Sequence, residues 1–293
     1  MSEGSITAAT PTRVRVVPAH KAEPAPGLVV DRPLPAPGLD QLSPFLMLDH
    51  FGPTPIAPGT AGGLNPHPHR GFETVTLLFD GAMEHRDSSG GRGTIRAGGV
   101  QWMTAARGIV HAEYHAPEML ARGGTLHGVQ LWVNLPRRFK GEAPGYQDLP
   151  RERIPECIED GVALRVIAGE LSGLRGPART YTPLAVAHFA FAAEGRTLVP
   201  LVAGHHHALY VVRGGVRVEG TAVPARHLAV IEGEGEVAVT AEAPADALFL
   251  AGEPIAEPVV AWGPFVMSTR EEIVSARQDF LAGRMGRLDG VPF

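Results

Sequence analysis

The stretch His67-Pro68-His69-Arg70-Gly71-Phe72-Glu73-Thr74-Val75-Thr76, taken with His111-Ala112-Glu113 further along the chain, decides the fold expectation. His67 and His69, like His111 and Glu113, are spaced i, i+2, the period that turns two side chains to one face of a β-strand. Two such pairs facing each other offer three imidazoles and one carboxylate to a single metal ion. That donor set suits iron, manganese, nickel, cobalt, copper or zinc, and on a six-coordinate metal it leaves positions open. It therefore points to oxygen chemistry and not to a closed structural site. Four donors fixed on strands also need little rearrangement to bind.

Working outward, the odd-numbered residues after His69 continue the same face through Glu73, Val75, Leu77 and Phe79 until Asp80-Gly81 supplies a hairpin turn. The inner face is then polar at the metal end and apolar at the other. Val75, Leu77, Phe79, Val129 and Leu131 are candidate walls for a small aromatic substrate, and equally candidate core. Glu73 has three readings: a fifth ligand, a support for a ligating imidazole, or a buried carboxylate paired elsewhere. Support for an imidazole is preferred. His127 shares parity with Val129, Leu131 and Val133 and is a second candidate for that supporting role. For His127, as for His85 and His115, the simpler reading is an ordinary hydrogen-bonded histidine. The run His205-His206-His207 has no carboxylate or cysteine nearby and reads as the polar start of a strand.

Composition agrees with a strand-rich protein. The 293 residues are 44% hydrophobic, enough for a substantial core, and include 36 glycines and 27 prolines, well above the roughly 12% of average usage. A net charge of −5 argues against direct nucleic-acid binding, which concentrates Lys and Arg on one face. The single cysteine, Cys157, excludes an intrachain disulfide. The first residues lack a basic-then-apolar leader, and no apolar run approaches the ~20 residues of a membrane span, so a cytoplasmic location and no membrane partner are expected.

Residues 1–12 are small and polar, an expected disordered tail. Residues 13–140 form an expected metal-binding unit of many short strands, which suits a small barrel or jelly roll able to hold one ligand. The Pro- and charge-rich residues 141–161 read as a linker, and residues 162–293 as a second unit. Within it, His207–Gly214 can be laid over Thr74–Gly81 as a weak internal repeat, and in that register Pro200 and Val202 stand where His67 and His69 stand. The second unit is thus expected to lack the metal site. Thr269 and Glu272 form a capping-box pattern that opens a helix over about 270–282, where Gly283 stops it.

The strings HPHRGFETVT (67–76), QWMTAARGIVHAE (101–113), HGVQLWVNLP (127–136) and AGEPIAEPVVAWGPFVM (251–267) resemble the pirin family of the cupin superfamily, and the resemblance spans nearly the whole chain. It implies an all-β bicupin: two stacked β-barrels, with Fe(II) in the N-terminal barrel and a C-terminal barrel that has lost its ligands. The family's His-x-His and His-x-Glu ligands carry over to His67, His69, His111 and Glu113. Other cupins use an HxHxxxE first motif, which Glu73 also completes here; the resemblance favours Glu113. Two functions are implied. One is cleavage of flavonols such as quercetin by O2, with opening of the central ring and release of carbon monoxide, in which Glu113 is the candidate catalytic base. The other is iron-dependent regulation through contact with a transcription factor or metabolic enzyme.

Overall fold

The computed structural model describes residues 12–288. The tail expected over residues 1–12 lies outside them, Thr12 excepted. Short alternating strands punctuated by glycine turns build two barrels, each a seven-stranded antiparallel sheet backed by a four-stranded one. In the N-terminal barrel the large sheet runs, in spatial order, Gly145–Leu149, Val100–Thr104, Phe72–Asp80, Gly124–Asn134, Phe45–Ile56, Leu28–Leu34 and His20–Ala25. Its smaller partner is Gly63–His69, Ile109–His115, Ala82–Asp87 and Arg92–Arg96. The C-terminal barrel repeats the plan. His206–Arg213 holds the third place in its large sheet, the place that Phe72–Asp80 holds in the other, as the internal repeat requires.

The two large sheets pack face to face. Val75, Leu77, Phe79, Val129 and Leu131 meet Val186, Ala208, Leu228, Leu248 and Leu250 of the other barrel in one continuous apolar core. The five residues expected as substrate walls therefore face away from the N-terminal barrel's interior. The reason is a break at Arg70-Gly71. The chain leaves the small sheet after His69 and enters the large one at Phe72, so counting parity across the break places Val75, Leu77 and Phe79 on the wrong face; Val129 and Leu131, paired with Leu77 and Val75 on the next strand, share that face. Even-numbered Thr74, Thr76 and Leu78 alternate with these interface residues.

Both ends of the described segment cross between barrels. Arg13–Pro18, expected in the first unit, pairs with His227–Glu232 of the second, and Val14 and Val16 pack on the second barrel's core. Of the expected linker, Gly145–Leu149 extends the first large sheet and Glu156–Glu159 begins the second. The expected helix forms over Arg270–Leu281 with its capping box, yet it docks on the N-terminal barrel, where Asp279 binds Arg70 at 2.5 Å and Ile273 and Ala276 pack with Val110 and Phe265. A second, six-residue helix, Pro117–Arg122, was too short to show a period in the sequence. No helix among the described residues is long and apolar enough to cross a membrane.

Gly71 makes the C-terminal return possible. Its φ is +90°, and a Cβ there would lie 1.9 Å from the Val266 carbonyl oxygen. The buried Lys140 closes the junction, its Nζ donating to Gly71 O at 2.6 Å, Asn134 Oδ1 at 2.7 Å and Val266 O at 3.1 Å. Burial brings its pKa down to about 8.

Leu131 is 3% exposed in the inter-barrel core. Leu131→Ala is expected to cost about 2–5 kcal/mol of stability in denaturant unfolding while leaving metal content unchanged. Unchanged stability with altered ligand affinity would show that Leu131 walls a pocket.

Candidate metal centre

His67 and His69 lie on the strand Gly63–His69, and His111 and Glu113 on Ile109–His115 beside it. His111 directly opposes His67, and Ile109 opposes His69. The imidazole nitrogens of His67, His69 and His111 lie within 4.8 Å of one another, with ring centroids 4.3 Å apart for His67 and His111. Each ring has its Nδ1 engaged on the outside: His67 with Asn65 O at 2.7 Å, His69 with Pro264 O at 3.4 Å, and His111 with His85 Nδ1 at 3.4 Å. A carbonyl can only accept, so His67 and His69 each carry a proton on Nδ1, which in the neutral ring leaves the lone pair on Nε2. His111 Nε2 is buried without a hydrogen-bond partner among the described residues.

Burial lowers the pKa of His69 and of His111 well below the ordinary histidine value, and the neighbouring imidazoles add to the effect. Both rings are therefore neutral, the form a metal takes as ligand. An orphaned buried Nε2, neutral rings and outer partners on each Nδ1 fit a metal ion with mixed N/O ligation.

Glu113 stands slightly apart. A bulge between His111 and Glu113 sets Glu113 opposite Leu64, so the two i, i+2 pairs do not close into a square. Glu113 groups within 4.8 Å of His111 and His85 instead. Its carboxylate reaches across the barrel to the large sheet, where Gln101 Nε2 donates to Oε1, Gln130 Nε2 donates to Oε2 at 3.1 Å, and Thr76 Oγ1 lies 3.4 Å from Oε1. Two carboxamides thus orient a carboxylate that has no cationic partner in these bonds.

The remaining predicted residues fall elsewhere. Glu73 is 1% exposed and accepts from Thr104 Oγ1 at 2.7 Å, outside both histidine groups. His127 faces the inter-barrel seam, 2.7 Å from His50 Nε2, and His50 is in turn 2.7 Å from the Tyr210 hydroxyl. His115 bonds Thr60 O at 3.0 Å. His85, read as an ordinary histidine, lies at the site. The signal for it was present, because His85 and Asp87 share the i, i+2 spacing of the ligand pairs. Phe72 and Trp132 were also missed; their ring centroids lie 4.2 Å apart with the planes tilted by 33°, and each meets His69 in a T-shaped contact.

The C-terminal barrel has the same cross-strand register with different chemistry, one residue away from the register expected from the repeat: Val199, not Pro200, opposes Val237 as His67 opposes His111, and Leu201, not Val202, opposes Gly235 as His69 opposes Ile109. Val199 and Val237 are buried in a continuous apolar core, and among the described residues both metal-type clusters lie in the N-terminal barrel.

Residues 27–133 match the Pirin family and residues 186–286 the Pirin C-terminal cupin domain. A pirin-like protein of Solanum lycopersicum is 40% identical, covering 98% of this chain and 97% of its own. The crystal structure of a quercetin 2,3-dioxygenase from Acinetobacter baumannii superposes with a TM-score of 0.87 at 38% identity, covering 93% of this chain and 97% of that one. Bacterial pirin YhhW from Escherichia coli, solved in complex with nickel(II), shares the fold at a TM-score of 0.66 and 20% identity, over 83% of this chain and 100% of that one.

Burial raises the Glu73 pKa from 4.5 to about 7. A folded-state value above the unfolded one contributes stability that is complete below about pH 4.5 and is lost as pH rises toward 7. Glu73→Gln is therefore expected to gain on the wild type between pH 5 and pH 8, by on the order of 1–3 kcal/mol in thermal unfolding. Metal content should not change. A pH-independent difference, or loss of metal, would return Glu73 to the site.

Proposed function

The chain belongs to the pirin family, and from that premise we propose that its N-terminal barrel is a metal-dependent dioxygenase centre that opens flavonols such as quercetin with molecular oxygen. The observation that carries this reading is the inward convergence of His67, His69 and His111, each with Nδ1 anchored, around the orphaned His111 Nε2. The dioxygenase named for Acinetobacter baumannii supports the substrate class. His67, His69 and His111 are the imidazole ligands and Glu113 the carboxylate of the set. Fe(II) is the proposed ion, and manganese, nickel, cobalt, copper and zinc suit the same donors. When bound, the ion supplies a Lewis acid and an electron conduit for the reaction of the flavonol with O2.

The chain's own residues prepare the substrate. Glu113 accepts the proton of the flavonol 3-hydroxyl on a carboxylate oxygen, since a base must sit within hydrogen-bond reach of the proton it takes. Gln101 and Gln130 hold that carboxylate in place throughout. Trp132, only partly buried beside His69, offers an aromatic side chain to a flat ring system, the role that sequence parity assigned to Val75, Leu77, Phe79, Val129 and Leu131, with the fully buried Phe72 behind it. His67 is the most exposed of the three histidines, so the ligand enters on its side.

Protein loaded anaerobically with Fe(II) and mixed with quercetin and air is expected to release carbon monoxide as flavonol absorbance falls. His69→Ala should abolish both metal retention and turnover. Glu113→Gln should slow turnover by roughly 10²–10⁴-fold. Absence of turnover in wild-type protein shown to hold iron would overturn the enzymatic reading in favour of metal-dependent binding to a protein partner.

A further inference from the structure

The third histidine of the centre is braced differently from the other two. Carbonyls at Asn65 and Pro264 accept from His67 and His69 whatever the protonation state around them. His111 Nδ1 instead meets another imidazole nitrogen, His85 Nδ1, at 3.4 Å. That nitrogen can accept only when His85 carries its proton on Nε2. Asp87 supplies the condition, with Oδ2 3.0 Å from His85 Nε2.

Asp87 is itself held firmly. Its Oδ1 accepts from Ser89 N at 2.8 Å, Ser89 Oγ at 2.7 Å and Gly91 N at 2.9 Å. Burial would raise its pKa, but the bonds from His85, Ser89 and Gly91 outweigh that and hold it at about 2. The carboxylate is thus an acceptor across the neutral range. Both side chains are fully buried, and Tyr146 stacks on the His85 ring at 4.4 Å with the planes 13° apart. Neither nitrogen of His85 is left over: one is taken by Asp87 and the other by His111.

The geometry points to His85 as the positioning residue for His111: Asp87 keeps the proton on His85 Nε2, His85 Nδ1 accepts from His111 Nδ1–H, and His111 Nε2 is thereby presented to the metal as a fixed, electron-rich donor. The Asp87–His85 pair acts through His111 and does not itself ligate, although His85 lies within 4.8 Å of His111 and Glu113. This assignment rests on the reading of the N-terminal barrel as a metal centre. Supporting residues of this kind typically contribute about 10–100-fold to metal affinity.

The test is Co(II) affinity of the full chain, measured by chelator competition together with the visible absorption of the bound ion. His85→Ala is expected to weaken binding by roughly 10–100-fold and to alter the spectrum. His85→Gln should recover most of both, because its side-chain carbonyl can accept from His111 while its amide donates to Asp87. If His85→Ala does not fold, His85→Phe makes the same comparison, since it keeps a ring against Tyr146 and offers no acceptor. Affinity within about twofold of wild type in the variants lacking an acceptor, or a glutamine variant as weak as they are, overturns the assignment. These results are distinguishable from failure of the metal reading, in which the wild type itself takes up no Co(II) and the assignment falls with it.

Discussion

Face-to-face packing of the two seven-stranded sheets is the constraint on which the remaining features depend. It commits one side-chain parity of Phe72–Asp80 and Gly124–Asn134 to the seam between barrels, so the other parity must line the N-terminal barrel's interior. Thr76 and Gln130 face Glu113 for that reason, as does Gln101 on Val100–Thr104, whose Val100 and Trp102 are likewise committed to the seam. The seam also carries polar groups, satisfied in a row from Tyr210 through His50 and His127 to Asp80. Burial holds the pKa of His50 at about 3, so the ring stays neutral and the seam carries no unpaired charge there.

One scaffold serves two purposes within the chain. Where His67 opposes His111 the barrel interior is polar, and at the same register Val199 opposes Val237 and the interior closes as hydrocarbon. The polar barrel needs bracing that the apolar one does not, because buried imidazoles and a carboxylate must each find a partner. Asn65, Pro264, His85 and the two glutamines provide it. Part of the bracing comes from the far end of the chain: Pro264 lies on the C-terminal return that Gly71 admits and Lys140 ties down.

The preference for Glu113 over Glu73 as a candidate donor came from the family resemblance; the convergence of His67, His69 and His111 was legible because i, i+2 spacing is local and survives without knowledge of strand pairing. The capping box at Thr269 and Glu272 was legible for the same reason. What failed depended on events between strands. The break at Arg70-Gly71 reversed the parity of Val75, Leu77 and Phe79. The bulge near Glu113 moved the carboxylate toward His85 and away from the square expected of two facing pairs. His85 and Asp87 carried the ligand-like spacing, but their neighbour His111 comes from strand pairing, which spacing does not encode. The crossing of the first strand and the last helix between barrels likewise leaves no local mark, since Arg13–Pro18 reads as a strand whichever sheet receives it.

The proposed centre would hold one metal ion among His67, His69 and His111. Anomalous diffraction at the iron edge, from crystals of Fe(II)-loaded protein, tests it most directly. A single strong peak within coordination distance of the Nε2 atoms of all three histidines is expected, with none in the C-terminal barrel. A peak bound through Nδ1, a peak in the second barrel, or no peak in protein that contains stoichiometric iron would contradict it.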